Sequence, residues 1–158
     1  GWIGYTWSKT EREFPDLNNG DIFPATYDRR HDLSLVLDYT HSDKWRFGLV
    51  HVYATGNSIT LPIQRYIIEG QIVDLYDDRN GVRMAPYHRV DLSATLTPQK
   101  KDAKGQWVFS IYNVYNRANP YFIFFSNDGD LNDGTLEITA KQVSLFPILP
   151  SFTWNFNF

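Results

Sequence analysis

The last nine residues, Pro150 to Phe158, alternate small polar with large aromatic side chains. A β-strand has period two, so Phe152, Trp154, Phe156 and Phe158 line one face and Ser151, Thr153, Asn155 and Asn157 the other. In a water-soluble sheet the aromatic face needs a core, and a fraying terminal segment is a poor place to build one. In an outer-membrane barrel, lipid solvates the same face, a wet lumen receives the polar one, and aromatics gather at the interface. The pattern points to a transmembrane β-strand.

The composition agrees. Aromatic residues make up 16% of the chain although the mean hydropathy is only −0.40, as expected where only alternate strand residues meet lipid. No apolar run approaches the roughly 18 residues that a membrane helix needs. Cysteine is absent, which removes disulfides and thiolate metal sites. A net charge of −3 with scattered basic residues offers no footprint for nucleic acid. The chain opens without an initiator methionine, signal-peptide pattern or lipidation motif, so we expect a mature product or a fragment.

Read for alternation, the chain holds six extended runs joined by connections that are alternately long and short. The first, Trp2 to Lys9, sets Ile3, Tyr5 and Trp7 against Gly4, Thr6 and Ser8. The second, His31 to His41, sets Leu33, Leu35, Leu37 and Tyr39 against Asp32, Ser34, Asp38 and Thr40. Trp45 to Thr55 is mixed, with Val50 and Val52 opposite Phe47, Leu49 and Tyr53. His88 to Leu96 sets Val90, Leu92, Ala94 and Leu96 against Arg89, Asp91, Ser93 and Thr95. The fifth run, Trp107 to Tyr115, loses its register at Asn113, which leaves open whether it continues through Tyr121 to Phe125; the sixth is read as one long strand, Leu136 to Phe158. Arg65–Ile68 and Gln71–Val73 form a hairpin about Glu69-Gly70 within the second long connection.

Long connections at one end and short turns at the other is the layout of an outer-membrane barrel, with the turns near Asp43 and Asp102 periplasmic. A soluble sandwich with a one-sided core also alternates, but handles the terminal strand poorly. In the barrel, Leu33, Leu35, Leu37, Val90, Leu92 and Leu96 face lipid, while Asp32, Asp38, Arg89 and Asp91 are lumen-facing candidates. On the lipid face an arginine would cost roughly 2–4 kcal/mol near the midplane. Arg89 and Asp91 have three readings: they pair across strands, contact a plug, or line a ligand path. Pro147 and Pro150 cannot donate to a ladder, so their stretch should lie above the membrane or at a bulge, leaving Ser151 to Phe158 as the regular part.

Chemistry of other kinds has no positive sequence support. His31, His41, His51 and His88 show no metal-binding spacing. Asp128-Gly129-Asp130-Leu131-Asn132 opens like a calcium loop, but Asp133 stands where the turn needs glycine, and a solvated loop is the better reading. No nucleophile triad, phosphate loop or paired carboxylates appear. We expect no enzyme, cofactor or metal.

Four stretches carry a resemblance: Thr55 to Pro62, Arg79 to Ala94, Tyr112 to Phe122 and Val143 to Ser151. Together they resemble the C-terminal barrel of Bacteroidetes TonB-dependent receptors, closest to the subgroup with an N-terminal carboxypeptidase-regulatory-like domain. The resemblance implies an all-β, antiparallel transmembrane β-barrel of about 22 strands around a plug. Residues 1–158 are then a C-terminal segment of it, roughly the last quarter, without plug or TonB-box. It further implies TonB-driven import of an unidentified nutrient ligand across the bacterial outer membrane. The implied partners are outer-membrane lipid, the rest of the barrel and its plug, the TonB complex, the barrel-assembly machinery and a surface lipoprotein. Phe152, Trp154, Phe156 and Phe158 are the implied assembly signal. The alternative is a small complete barrel of about eight strands with a structural or adhesion role, if the Gly70 hairpin joins the wall.

Overall fold

A computed structural model describes residues 1–76, 78–99, 105–129 and 133–156. Among these the chain is all-β and without α-helix, with a single 3-10 turn at Asn18–Gly20. The strands are β1 (Trp2–Trp7), β2 (Glu11–Arg12), β3 (Phe23–Pro24), β4 (His31–Thr40), β5 (Trp45–Ala54), β6 (Ser58–Ile59) and β7 (Pro62–Ile68). They continue with β8 (Gln71–Tyr76), β9 (Val82–Arg83), β10 (Tyr87–Leu96), β11 (Gln106–Tyr112), β12 (Phe122–Asp128), β13 (Glu137–Val143) and β14 (Leu149–Asn155).

Six of them form one antiparallel meander in the order β1-β4-β5-β10-β11-β14. The sheet is open, with β1 and β14 at its edges, and none of the sheets closes into a barrel. The pairing fixes the faces. Leu37 lies opposite Leu49 and Leu49 opposite Leu92, which in turn faces Ile111. One residue along, Asp38, Gly48, Ser93, Ser110 and Ser151 form a row on the other face. The third run is thereby placed: Val50 and Val52 join the polar face, opposite Asp91 and Arg89.

Two short connections leave one end of the sheet, and three long ones, residues 8–30, 55–86 and 113–148, leave the other. Around Ser42 the turn is closed by Trp45, whose N–H donates to the Ser42 carbonyl and Oγ. The turn near Asp102 lies outside the described residues. The long connections carry their own two-stranded ladders, β2-β3, β6-β9, β7-β8 and β12-β13. The β7-β8 hairpin turns at Glu69 (φ 53°) and Gly70 (φ 77°) as expected from the sequence, two positive φ values matching the right-handed strand twist. It stands apart from the six-stranded sheet, so the widening to about eight strands does not occur through it.

One open point is decided and two expectations are corrected. The fifth run does not continue through Phe125: β11 stops at Tyr112 because Asn113 turns left-handed (φ 54°), and Phe122–Asp128 pairs with β13 instead. The long final strand is two, since β13 ends at Val143 and Pro147 falls in the gap before β14. Pro150, expected off the ladder, sits inside β14 opposite Ile111; an outermost strand tolerates a proline that a central one would not.

No second layer packs on the sheet, since among the described residues the strands contact chiefly their ladder partners. Ile3 is 69% and Phe152 59% exposed. Among the described residues the buried ones are Phe23, Ala25, Ala54, Gly56, Met84, Asp28, Ser58, Asn80 and Asn113. They cluster where the long connections meet the strands. A soluble sheet would place its core against one face; this one places it at one end.

Candidate functional site

The apolar face is continuous across all six strands, from Ile3 through Leu35, Leu49, Leu92 and Phe109 to Phe152. Aromatic rings collect at both of its ends. At the short-turn end Trp107 stacks on Phe152 and Trp154 at 4.9 and 5.3 Å between centroids, and Trp154 meets Phe156 at 5.0 Å. At the other end Tyr5 OH bonds His31 Nδ1 at 2.8 Å, and His88 meets Tyr115 edge-on at 5.9 Å. An uncovered apolar surface of this extent demands a lipid or protein cover. Phe152 and Trp154 of the expected aromatic signal lie on this face; Phe156 follows the end of β14, and Phe158 lies outside the described residues.

Asp32, Asp38, Arg89 and Asp91 all fall on the opposite, polar face. Asp38 pairs across the strands with Arg46 at 3.1 Å, and Asp32 with Arg29 at 3.7 Å. Both pairs are well exposed and contribute little. Arg89 and Asp91 pair along one strand, Nε to Oδ2, at 3.0 Å. Arg89 also donates from Nη1 to Tyr87 OH (3.0 Å) and Tyr112 OH (2.7 Å), and its guanidinium stacks 4.2 Å from the Tyr112 ring centroid. Asp91 Oδ1 accepts the Asn113 N–H at 2.9 Å, so the charged pair reaches from the sheet to the base of the third connection. Farther down, the row of small side chains is tight: a Cβ on Gly48 would sit 2.5 Å from Ser93 Oγ, and Ser110 and Ser151 bond each other at 2.6 Å.

Above the sheet, the long connections hold one another. Asp28, fully buried, accepts from Thr10 N–H (2.7 Å), Arg30 Nε (2.9 Å) and Arg83 Nη2 (2.7 Å). Burial alone pushes its carboxyl up, but these donors outweigh it and hold the pKa at about 2. Arg83 also donates to the Gly56 carbonyl at 2.9 Å, and a Cβ on Gly56 would collide with the Met84 carbonyl at 2.0 Å. Asn18 and Arg79 exchange two bonds, and Asn80 donates to the Pro24 carbonyl. Asn113 donates to the carbonyls of Arg117 and Phe146 and accepts the Arg117 N–H.

Several of these residues, among them Gly56, Asn80, Arg83 and Asn113, lie in the stretches that carry the resemblance. Their physical task is to fasten the connections to the strands. Sequence reasoning assigned them no role and missed Asp28 altogether. Where the polar face meets the connections lies a hollow of about 890 Å³, lined among others by Arg29, Asn57, Tyr87, Tyr112, Tyr121 and Phe122. A hollow of that size with mixed aromatic and polar walls suits a small organic ligand. Asp128 of the calcium-like stretch pairs with Lys141 at 3.0 Å; Asp130, Leu131 and Asn132 lie outside the described residues.

No protein-family model matches the chain, and comparison with characterised proteins and with solved structures yields no significant match.

Proposed function

We propose that residues 1–158 form part of the wall and outer connections of a TonB-dependent receptor barrel in a bacterial outer membrane, one that imports a small ligand. The observation that carries this reading is the two-faced sheet. One face is apolar on every strand and banded with aromatics at both ends, the other bears paired charges and small polar groups, and among the described residues neither bears a second layer. Lipid satisfies the first face and a wet lumen or plug the second. The open edges at β1 and β14 are the places where further strands of the same barrel join, because unpaired backbone groups cost several kcal/mol each in hydrocarbon.

The long connections lie outside the cell in this reading and the short turns in the periplasm. The hollow beside Tyr87 and Tyr112 then stands on the route from the outer surface to the lumen, with the Arg89–Asp91 pair beneath it. Transport is powered through the TonB complex acting on parts of the receptor other than these strands. Density fractionation of producing cells and proteolysis from outside test the reading. The protein should travel with the outer membrane and be cut in intact cells only within 8–30, 55–86 or 113–148. Recovery in a soluble fraction, or cleavage first at Ser42–Lys44, overturns it.

A further inference from the structure

At the long-connection end of the apolar face, three nitrogen-bearing side chains come together. His51 lies opposite Val90 on β5, and His88 stands two residues from Val90 on the same face of β10. Such diagonal neighbours lie roughly 7–8 Å apart at Cα. The third connection brings Arg117 to them: its Nη2 donates to the Pro86 carbonyl at 3.2 Å, while Asn119 Oδ1 accepts the His88 N–H at 3.0 Å. Arg117 and His51 are both within electrostatic range of His88. Exposed Tyr115 closes the group against His88.

Arg117 differs from its neighbours in charge balance. Arg29, Arg30 and Arg83 each face a carboxylate. Arg117 forms no ion pair among the described residues, and its Nε is buried with no hydrogen-bond acceptor. A half-buried guanidinium without an anion is costly, and its planar fork matches an oxyanion better than any neutral group does. Immediately below it the surface is apolar, with Val90, Leu92 and Leu35 in line.

We propose that Arg117, His51 and His88 bind the phosphate of an anionic amphiphile whose acyl chains lie along the apolar face. The inference rests on the membrane reading and adds a specific lipid contact to it. The guanidinium takes two phosphate oxygens, the imidazoles donate to the remaining ones, and Tyr115 covers the glycerol or sugar that links head to chains. Both requirements, a tetrahedral anion and an apolar tail, belong to one molecule, which favours a lipid over free phosphate.

Native mass spectrometry of the full receptor in neutral detergent tests this with phosphatidic acid, diacylglycerol of the same chains, and inorganic phosphate. Phosphatidic acid should bind in preference to diacylglycerol. Arg117→Gln, and separately His51→Asn with His88→Asn, should each weaken it roughly tenfold, the worth of a charge-assisted contact. Arg46→Gln, at the far end of the polar face, should leave it unchanged. The histidine pair serves if Arg117→Gln fails to fold. Equal binding of phosphatidic acid by wild type and both variants overturns the proposal, and so does its displacement by equimolar inorganic phosphate. Spin labels at Leu35 and Leu92 separate the two levels: lipid-exposed labels with unaltered binding sink only this site, whereas water-exposed labels sink the membrane reading as well.

Discussion

Arg83 Nη2 donates to Asp28 Oδ2 at 2.7 Å across 55 residues of sequence, and this contact joins the first long connection to the second around a carboxylate with no exposed surface. Replacing Arg83 by Ala leaves that carboxylate with only Arg30 and the Thr10 amide. Breaking one partner of a buried pair is expensive, here about 3 kcal/mol. Limited proteolysis of the folded protein should find the 8–30 and 55–86 connections newly cleavable in Arg83→Ala; an unchanged digestion pattern refutes the role.

The same carboxylate sets a pH dependence. Its pKa is held at about 2 against an ordinary 3.8, so the folded form binds its proton less readily than the unfolded form. The stabilisation, about 2 kcal/mol, is complete above roughly pH 4 and is lost as the pH falls towards 2. Asp28→Asn should be less stable than wild type at pH 6, with the gap closing by pH 2 in a denaturant titration. A constant gap across that window argues against an ionised Asp28.

Asn113 combines a left-handed backbone with three side-chain hydrogen bonds. Asn113→Gly keeps the conformation and loses the side-chain bonds, while Asn113→Ala loses both. The alanine variant should therefore be less stable than the glycine variant by about 1 kcal/mol. Equal stabilities would mean that φ at this position is not maintained.

If the proposed membrane reading is right, single spin labels at Leu35 and Leu92 should report lipid, and labels at Ser34 and Ser93 water, in the protein reconstituted in vesicles. These positions alternate between the two faces, and a one-residue slip would exchange them all. Equal water accessibility at the four sites rules out the assignment.

Deleting Phe158 tests the assembly signal that the resemblance implies. A final strand that adds to the assembly machinery's sheet edge uses main-chain bonds, with alternating aromatics filling pockets. The amount of protein assembled in cells should fall far more than the unfolding midpoint of the purified protein. A fall in proportion to lost stability makes Phe158 an interfacial anchor and nothing more.

Period-two alternation made the wall legible: Leu33, Leu35 and Leu37, or Val90 and Leu92, share a face because strand geometry leaves no other arrangement. The Glu69-Gly70 hairpin was legible for the same local reason. Long-range polar contacts were not. Asp28 draws its donors from Thr10, Arg30 and Arg83, separated from it by 18, 2 and 55 residues, and no periodicity encodes such a set. Asn113 reads in sequence as a break in register; only the left-handed turn and its hydrogen bonds explain why β11 stops there. The final run was misread because Val143 and Leu149 border a five-residue excursion in which apolar residues continue without strand pairing.

The reciprocal bonds between Asn18 and Arg79, at 2.7 and 3.1 Å, bear on how such a surface diversifies. A connection that stood alone could be exchanged for another of any length without disturbing its neighbour. Here the first and second connections are spliced, through Asn18 with Arg79, Pro24 with Asn80 and Asp28 with Arg83. Grafting either one from another protein would strand half of every pair. The transferable module is the couple, and recombination that splits residues 8–30 from 55–86 pays for its novelty with both.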